Sequence, residues 1–147
     1  VECFGPGWPR GNISRAEMQM VFRTSRINLN LSNSVPEEAG FIFSGPRCFG
    51  RWLLSKKRAE QVKARNFEVP MAGGFLLSRY AIGLERHYRI GEEVAVYTTV
   101  RECARQIRYY LTFPDCRIQV AKSAYARTRQ EHAFRHRFAR IWKEVWT

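Results

Sequence analysis

The stretch that most constrains the fold is Phe67-Glu68-Val69-Pro70-Met71-Ala72-Gly73-Gly74-Phe75-Leu76-Leu77, a short helical pattern stopped by two glycines and followed at once by an apolar run. A glycine pair ends a helix because glycine enters the left-handed region without a Cβ penalty. Three consecutive apolar residues just beyond such a stop suit a buried strand. The same alternation recurs on either side. Ile27-Asn28-Leu29-Asn30-Leu31 alternates apolar and polar residues as a strand does, although its asparagines are unusual for a core strand, and Val94-Ala95-Val96-Tyr97 is a third candidate. Strands separated by helices require crossover connections, which produce a parallel sheet with helices packed on it. The expected class is therefore α/β, an open and mostly parallel sheet flanked by helices, with strands near 27–31, 75–78 and 94–97.

The helices follow from punctuation and period. Gly5, Pro6, Gly7, Pro9 and Gly11 make the opening a loop, after which Ser14 and Glu17 have the spacing of a capping box for a helix over 15–24. Proline fits most easily in a first turn, so the helix carrying Pro70 is expected to start no earlier than Asn66 and to run to Ala72. A short helix is expected at 81–88, then helices at 100–113, 116–130 and 134–146. Ile107, Tyr110 and Leu111 keep helical spacing, as do Phe134, Phe138, Ile141 and Trp142. Residues 35 to 60 carry Pro36, Gly40, Gly45, Pro46 and Gly50 with no sustained period, and are expected to be the least regular part. Within them, Arg51 to Arg58 has the makings of a basic amphipathic helix, for which a membrane surface is one conceivable partner.

Length and charge narrow the class. A chain of 147 residues with 45% hydrophobic content forms one domain with a real core. Its apolar runs are strand-sized, too short to span a bilayer as a helix. Lys and Arg outnumber Asp and Glu by 25 to 13, a net charge of +12, which favours anionic partners such as nucleic acid, lipid headgroups or phosphorylated small molecules. Cys3, Cys48, Cys103 and Cys116 are widely spaced, unlike the paired ligands of a structural zinc site, and a reduced cytoplasmic protein is the simplest reading. His132 and His136 are four apart on one helical face but lack an evident third ligand, so no metal site is assigned; His87 is read as no more than a complement to a helix dipole.

In parallel sheets ligands bind beyond the carboxyl ends of the strands, which directs attention to the residues just after Leu31, Leu77 and Tyr97. Lys63-Ala64-Arg65-Asn66-Phe67-Glu68 lies between the first two. Two cations at a helix start favour an anion, and a carboxylate one turn in can accept hydrogen bonds from a vicinal diol such as a ribose. Diphosphate beside ribose is the middle of a nucleotide sugar.

Taken in order, Gly5-Pro6-Gly7-Trp8-Pro9, the capped helix, Ser25-Arg26-Ile27-Asn28-Leu29-Asn30-Leu31-Ser32 and the run Lys63 to Leu77 resemble the carboxy-terminal domain of the spore-maturation (CgeB-like) glycosyltransferases, a branch of the two-domain GT-B enzymes. Ile107-Arg108-Tyr109-Tyr110-Leu111, Glu131-His132 and His136-Arg137 resemble that family's closing helices. The resemblance covers nearly the whole chain outside 35–60, and Arg65 to Leu77 is its specific part. It implies a Rossmann-like sheet forming the carboxy-terminal half of a GT-B fold. It also implies a nucleotide-diphosphate sugar as donor substrate, with no cofactor and no essential metal. Glu68 would hold the donor ribose, Lys63 and Arg65 would face the diphosphate, and Asn30 and Ser32 would line the crevice. Glu60 and Glu68 spell E-x7-E, a spacing known in related retaining transferases; the resembled family more often has no acid at the first position, so Glu60 is not counted in the site. Arg26 stands where that family usually has lysine.

Val1 to Gly5 reads as the tail of a strand entering a turn, so residues 1–147 are expected to be one partial domain. Its first strand–helix unit and an amino-terminal acceptor-binding domain would precede it. Catalytic residues stay unassigned, and such a fragment is expected to be inactive alone. Two other readings are a basic nucleic-acid-binding module and a non-catalytic interaction domain. A sheet that stacks RNA needs aromatics alternating on one strand, and none of these strands has them, so no specific nucleic acid is expected.

Overall fold

The computed structural model describes residues 2–5, 7–31, 45–54 and 60–146, apart from the side chains at 48, 51, 52, 134, 137 and 140. Three short strands, β1 (Asn28–Asn30), β2 (Leu76–Arg79) and β3 (Ala95–Tyr97), form a parallel sheet in the order β1-β2-β3. Asn30 lies opposite Ser78, and Arg79 opposite Tyr97, so the carboxyl ends of all three strands fall together. The expected α/β architecture is what the chain adopts. Glu2 to Phe4, read as a strand's tail, form no strand.

Side chains alternate across the sheet with the period of two that a strand dictates. Phe75, Leu77, Ala95 and Tyr97 point to one face, where α4 (Val100–Thr112) and α5 (Pro114–Arg127) supply Cys103, Tyr110 and Val120. Leu76 and Val94 point to the other, against Phe22 of α1 (Arg15–Thr24) and Val69 of α3 (Arg65–Met71). β2 is thus buried on both faces, as its unbroken apolar run requires.

Helix α1 begins with the expected capping box: the Glu17 N–H donates to Ser14 Oγ at 3.2 Å, and the Ser14 N–H donates to the Glu17 carboxylate at 2.8 Å. Helix α3 starts a residue earlier than expected and carries Pro70 near its end, not in its first turn. Two local bonds explain the early start. The Asn66 N–H donates to the Lys63 carbonyl and the Lys63 N–H donates to Asn66 Oδ1, both near 3 Å. The missing Pro70 N–H matters little because the helix closes within three residues, through Gly73 N–H to Pro70 O (2.8 Å) and Gly74 N–H to Val69 O (3.0 Å).

Two expectations fail for physical reasons. Residues 81–88 form turns with a single 3₁₀ turn at Leu84–Arg86, because Gly83 at φ +93° sits in the left-handed region and stops an α-helix there. The helix expected over 116–130 starts at Pro114 and changes to a π-helical turn at Thr128–His132. Thr128 anchors that change, with Tyr88 Oη 2.6 Å from its Oγ1, which donates to the Ala124 carbonyl. Helix α6 (Phe134–Trp146) forms as expected, and its apolar Phe138, Ile141 and Trp142 are 65%, 55% and 68% exposed. Leu111 of α4 is exposed as well.

A further helix, α2 (Pro46–Leu54), lies within the 35–60 segment, beginning before the expected Arg51–Arg58 stretch. Residues 35–44 and 55–59 lie outside the described residues. Among the described residues no helix is long and apolar enough to cross a membrane.

Candidate functional site at the carboxyl ends of the strands

Asn30 ends β1, Ser78 sits one residue from the end of β2, and Tyr97 ends β3. Their polar groups join into one network. Asn30 Nδ2 donates to Ser78 Oγ at 3.1 Å, Asn66 Nδ2 donates to the same oxygen at 3.0 Å, and Ser78 Oγ donates to the Arg79 carbonyl at 3.1 Å. The Tyr97 hydroxyl donates to the Asn30 carbonyl at 3.1 Å, tying β3 to β1 across the sheet's end. Asn66 is 1% exposed; its carboxamide fixes the start of α3, and with it the backbone of Lys63, against the end of β2. The two asparagines of β1 therefore divide their work. Asn28 donates to the Phe22 and Phe75 carbonyls and holds α1 at the opposite end of the strands. Asn30 bonds Ser78 at the carboxyl ends.

The candidate residues fall around this network unequally. Asn30 belongs to it directly, and Lys63 through its backbone. Arg65 carries its guanidinium over the Phe22 ring, 5.3 Å from the centroid, and so engages α1. Glu68 stands one turn into α3, exposed, its carboxylate in no hydrogen bond or ion pair among the described residues. Ser32 lies outside the described residues. The N–H groups of Asn66, Phe67 and Glu68 already donate to Lys63 and Ala64 carbonyls and are not free backbone donors.

Five residues at this end were not assigned from the sequence: Glu60, Asn66, Ser78, Arg79 and Tyr97. A signal for three of them was available, since Ser78, Arg79 and Tyr97 are the terminal residues of the strands after which a ligand is expected. Arg79 Nη1 lies 3.5 Å from Glu60 Oε1, bringing the segment before Lys63 onto the end of β2. Burial pushes the Tyr97 hydroxyl up to about 12, with the Cys103 thiol and Glu60 raising it further and Arg79 opposing them.

That shift has a sign that can be measured. A tyrosine in the unfolded chain titrates near 10, so between about pH 10 and about pH 12 the unfolded chain loses a proton the folded chain keeps, and stability falls. Tyr97→Phe lacks this contribution. It should cost about 1 kcal/mol below pH 10, through the lost bond to Asn30, and the gap to wild type should narrow as pH climbs. Urea unfolding of both proteins at about pH 8 and about pH 11 tests this; a gap that stays constant contradicts it.

His87 stands at the carboxyl-terminal cap of the 3₁₀ turn Leu84–Arg86, and its ring is edge-on to Phe67 and His132, at 5.2 and 5.1 Å between centroids. His136 accepts from Arg135 Nε at 3.2 Å. Among the described residues no three His, Cys, Asp or Glu side chains are grouped to hold a metal ion. An open groove lined by Arg89, Glu92, Tyr109 and Asp115 lies by the residues entering β3, away from the strand ends.

A three-stranded parallel sheet covered on both faces, with a polar network at its carboxyl ends, is a Rossmann-like α/β domain. The family model described as glycosyl transferase-like matches residues 1–143, and the chain belongs to that family. Glycosyl transfer is the chemistry this membership assigns. No curated protein and no solved structure matches the chain.

Proposed function

We propose that this chain is the donor-binding domain of a GT-B, CgeB-like glycosyltransferase, taking a nucleotide-diphosphate sugar and passing its glycosyl unit to an acceptor bound by another domain. The observation that carries the reading is Glu68, an exposed carboxylate without a protein partner among the described residues. It shares a helix start with Lys63 and Arg65 at the end of the sheet where such folds bind ligands. In this reading Glu68 accepts the ribose hydroxyls, Lys63 and Arg65 face the diphosphate, and Asn30 and Ser32 line the crevice. The two cations stabilise negative charge that grows on the departing diphosphate, which is where electrostatic catalysis has most effect. The donor is held without a metal, and the acceptor domain supplies the general base. A base-stacking nucleic-acid platform suits the fold poorly, because β2 and β3 are covered on both faces and present no open aromatic surface.

The test is calorimetric binding of UDP, GDP and the matching nucleosides to the full-length protein. Lys63→Ala and Arg65→Ala should each weaken diphosphate binding several-fold, leave nucleoside binding unchanged, and do so less at high salt. Equal losses for nucleoside and diphosphate would remove the two cations from the diphosphate site. Wild-type protein that binds no nucleotide would end the donor-domain reading.

A further inference from the structure

Helix α6 keeps its apolar side in water. Phe138, Ile141, Trp142, Val145 and Trp146 are all more than half exposed, the last at 71%. At 3.6 residues per turn these five positions fall within about 140° of arc, so they share one broad face. The Trp142 and Trp146 rings stack with 5.4 Å between centroids and 28° between planes, forming one aromatic plate near the helix's carboxyl end. Single exposed apolar residues are ordinary on a protein surface. Five on one helical face are a patch that calls for a partner.

The charges on the same helix select that partner. Its sequence holds Arg135, Arg137, Arg140 and Lys143 against one acid, Glu144, and the whole chain carries +12. Arg135 and Lys143 are exposed. A second copy would bring the same positive charge to the contact, and the two would repel. An anionic surface is the complement. Tryptophan suits the headgroup layer of a bilayer, where its ring is buried and its N–H stays hydrated, while long basic side chains reach the lipid phosphates. A helix with Trp and Phe on one face and Arg and Lys beside them has the composition of one that lies in that layer. At 13 residues α6 is about 20 Å long, too short to cross a hydrocarbon core of about 30 Å. We infer that α6 docks this domain on a membrane surface containing anionic lipid, with its Phe138 to Trp146 face in the headgroup layer. Docking through α6 requires nothing of the donor site.

Sedimentation of the full-length protein with lipid vesicles tests this. Phosphatidylcholine vesicles with roughly 30% phosphatidylglycerol should bind it about tenfold or more tightly than phosphatidylcholine alone, and the difference should shrink as salt rises. The double variant Trp142→Ala, Trp146→Ala should bind the anionic vesicles roughly tenfold more weakly. Both rings are exposed, so its melting temperature should stay within about 2 °C of wild type. The double variant Arg137→Gln, Arg140→Gln should lose most of the preference for anionic over neutral lipid. A wild type that binds neither vesicle, or binds both equally, overturns the inference. So does either double variant that binds like wild type. If the tryptophan variant melts well below wild type, or breaks up a wild-type dimer seen by ultracentrifugation without lipid, the face belongs to another domain or to a second copy, and the membrane assignment is rejected.

Discussion

Replacing Gly74 with alanine should lower the melting temperature by roughly 10 °C, the largest effect of an added methyl at any glycine among the described residues. Gly74 lies where α3 turns into β2, and a Cβ there would fall on the Phe22 carbonyl and 2.8 Å from Asn28 Nδ2. Neither obstacle can easily yield. The Phe22 carbonyl belongs to the last turn of α1, and Asn28 Nδ2 already donates to it at 2.8 Å and to the Phe75 carbonyl at 3.2 Å. The methyl must push apart α1 and the start of β2 or break the Asn28 clamp. Overpacking against backbone costs about 3 kcal/mol, which in a domain of this size corresponds to the stated shift. Gly73→Ala is the informative comparison. Gly73 has φ +81° but nothing within 4 Å of an added Cβ, so it should lose only about 1–2 kcal/mol of backbone preference. A calorimetric scan in which Gly74→Ala melts within about 2 °C of wild type, or above Gly73→Ala, would show that the α1–β2 junction is looser than its geometry indicates.

That junction also shows why part of the fold is legible in the sequence. The Gly73-Gly74 stop, the Ser14–Glu17 box and the apolar run of β2 are local signals whose physics is complete within a few residues. They placed α1, α3 and all three strands to within a residue or two. The failures occur where a remote or backbone constraint decides. Gly83 in the left-handed region replaces a helix by turns at 81–88. Thr128 is held by Tyr88, forty residues away, where the chain leaves α-helical geometry. The period of Phe138, Ile141 and Trp142 predicts α6 itself, yet a period states only that one face is apolar, and these three side chains are exposed.

The site divides the same way. Lys63, Arg65 and Glu68 are visible as a cluster because they are neighbours in sequence. The network they adjoin is built across distances that no local motif records. Asn66 bonds Ser78 from twelve residues away, Asn30 bonds Ser78 from forty-eight, and Tyr97 reaches Asn30 from sixty-seven. The strand-end rule narrows the search to Ser78, Arg79 and Tyr97, but Glu60 emerges only once its burial opposite Arg79 is known.

Glu68→Gln should weaken donor binding by roughly ten- to a hundredfold in the full-length protein while leaving its melting temperature unchanged. The absence of a stability effect follows from the structure: Glu68 is exposed, and its carboxylate ends no ion pair and accepts no hydrogen bond among the described residues. The binding loss follows from chemistry. Two adjacent ribose hydroxyls are both donors to a carboxylate, and hydrogen bonds to a charged group contribute about 1.5–3 kcal/mol. The amide keeps one acceptor oxygen, loses the charge, and turns an NH₂ toward a hydroxyl that had been donating. Because the ribose belongs to the nucleoside, free diphosphate and sugar nucleotide should weaken by the same factor. The 2′-deoxy diphosphate closes the cycle. Wild type should bind it more weakly than the ribose form, whereas Glu68→Gln, having already lost the preference, should discriminate far less between the two. If the variant penalises the missing 2′-hydroxyl as strongly as wild type does, Glu68 is not the residue that holds the ribose.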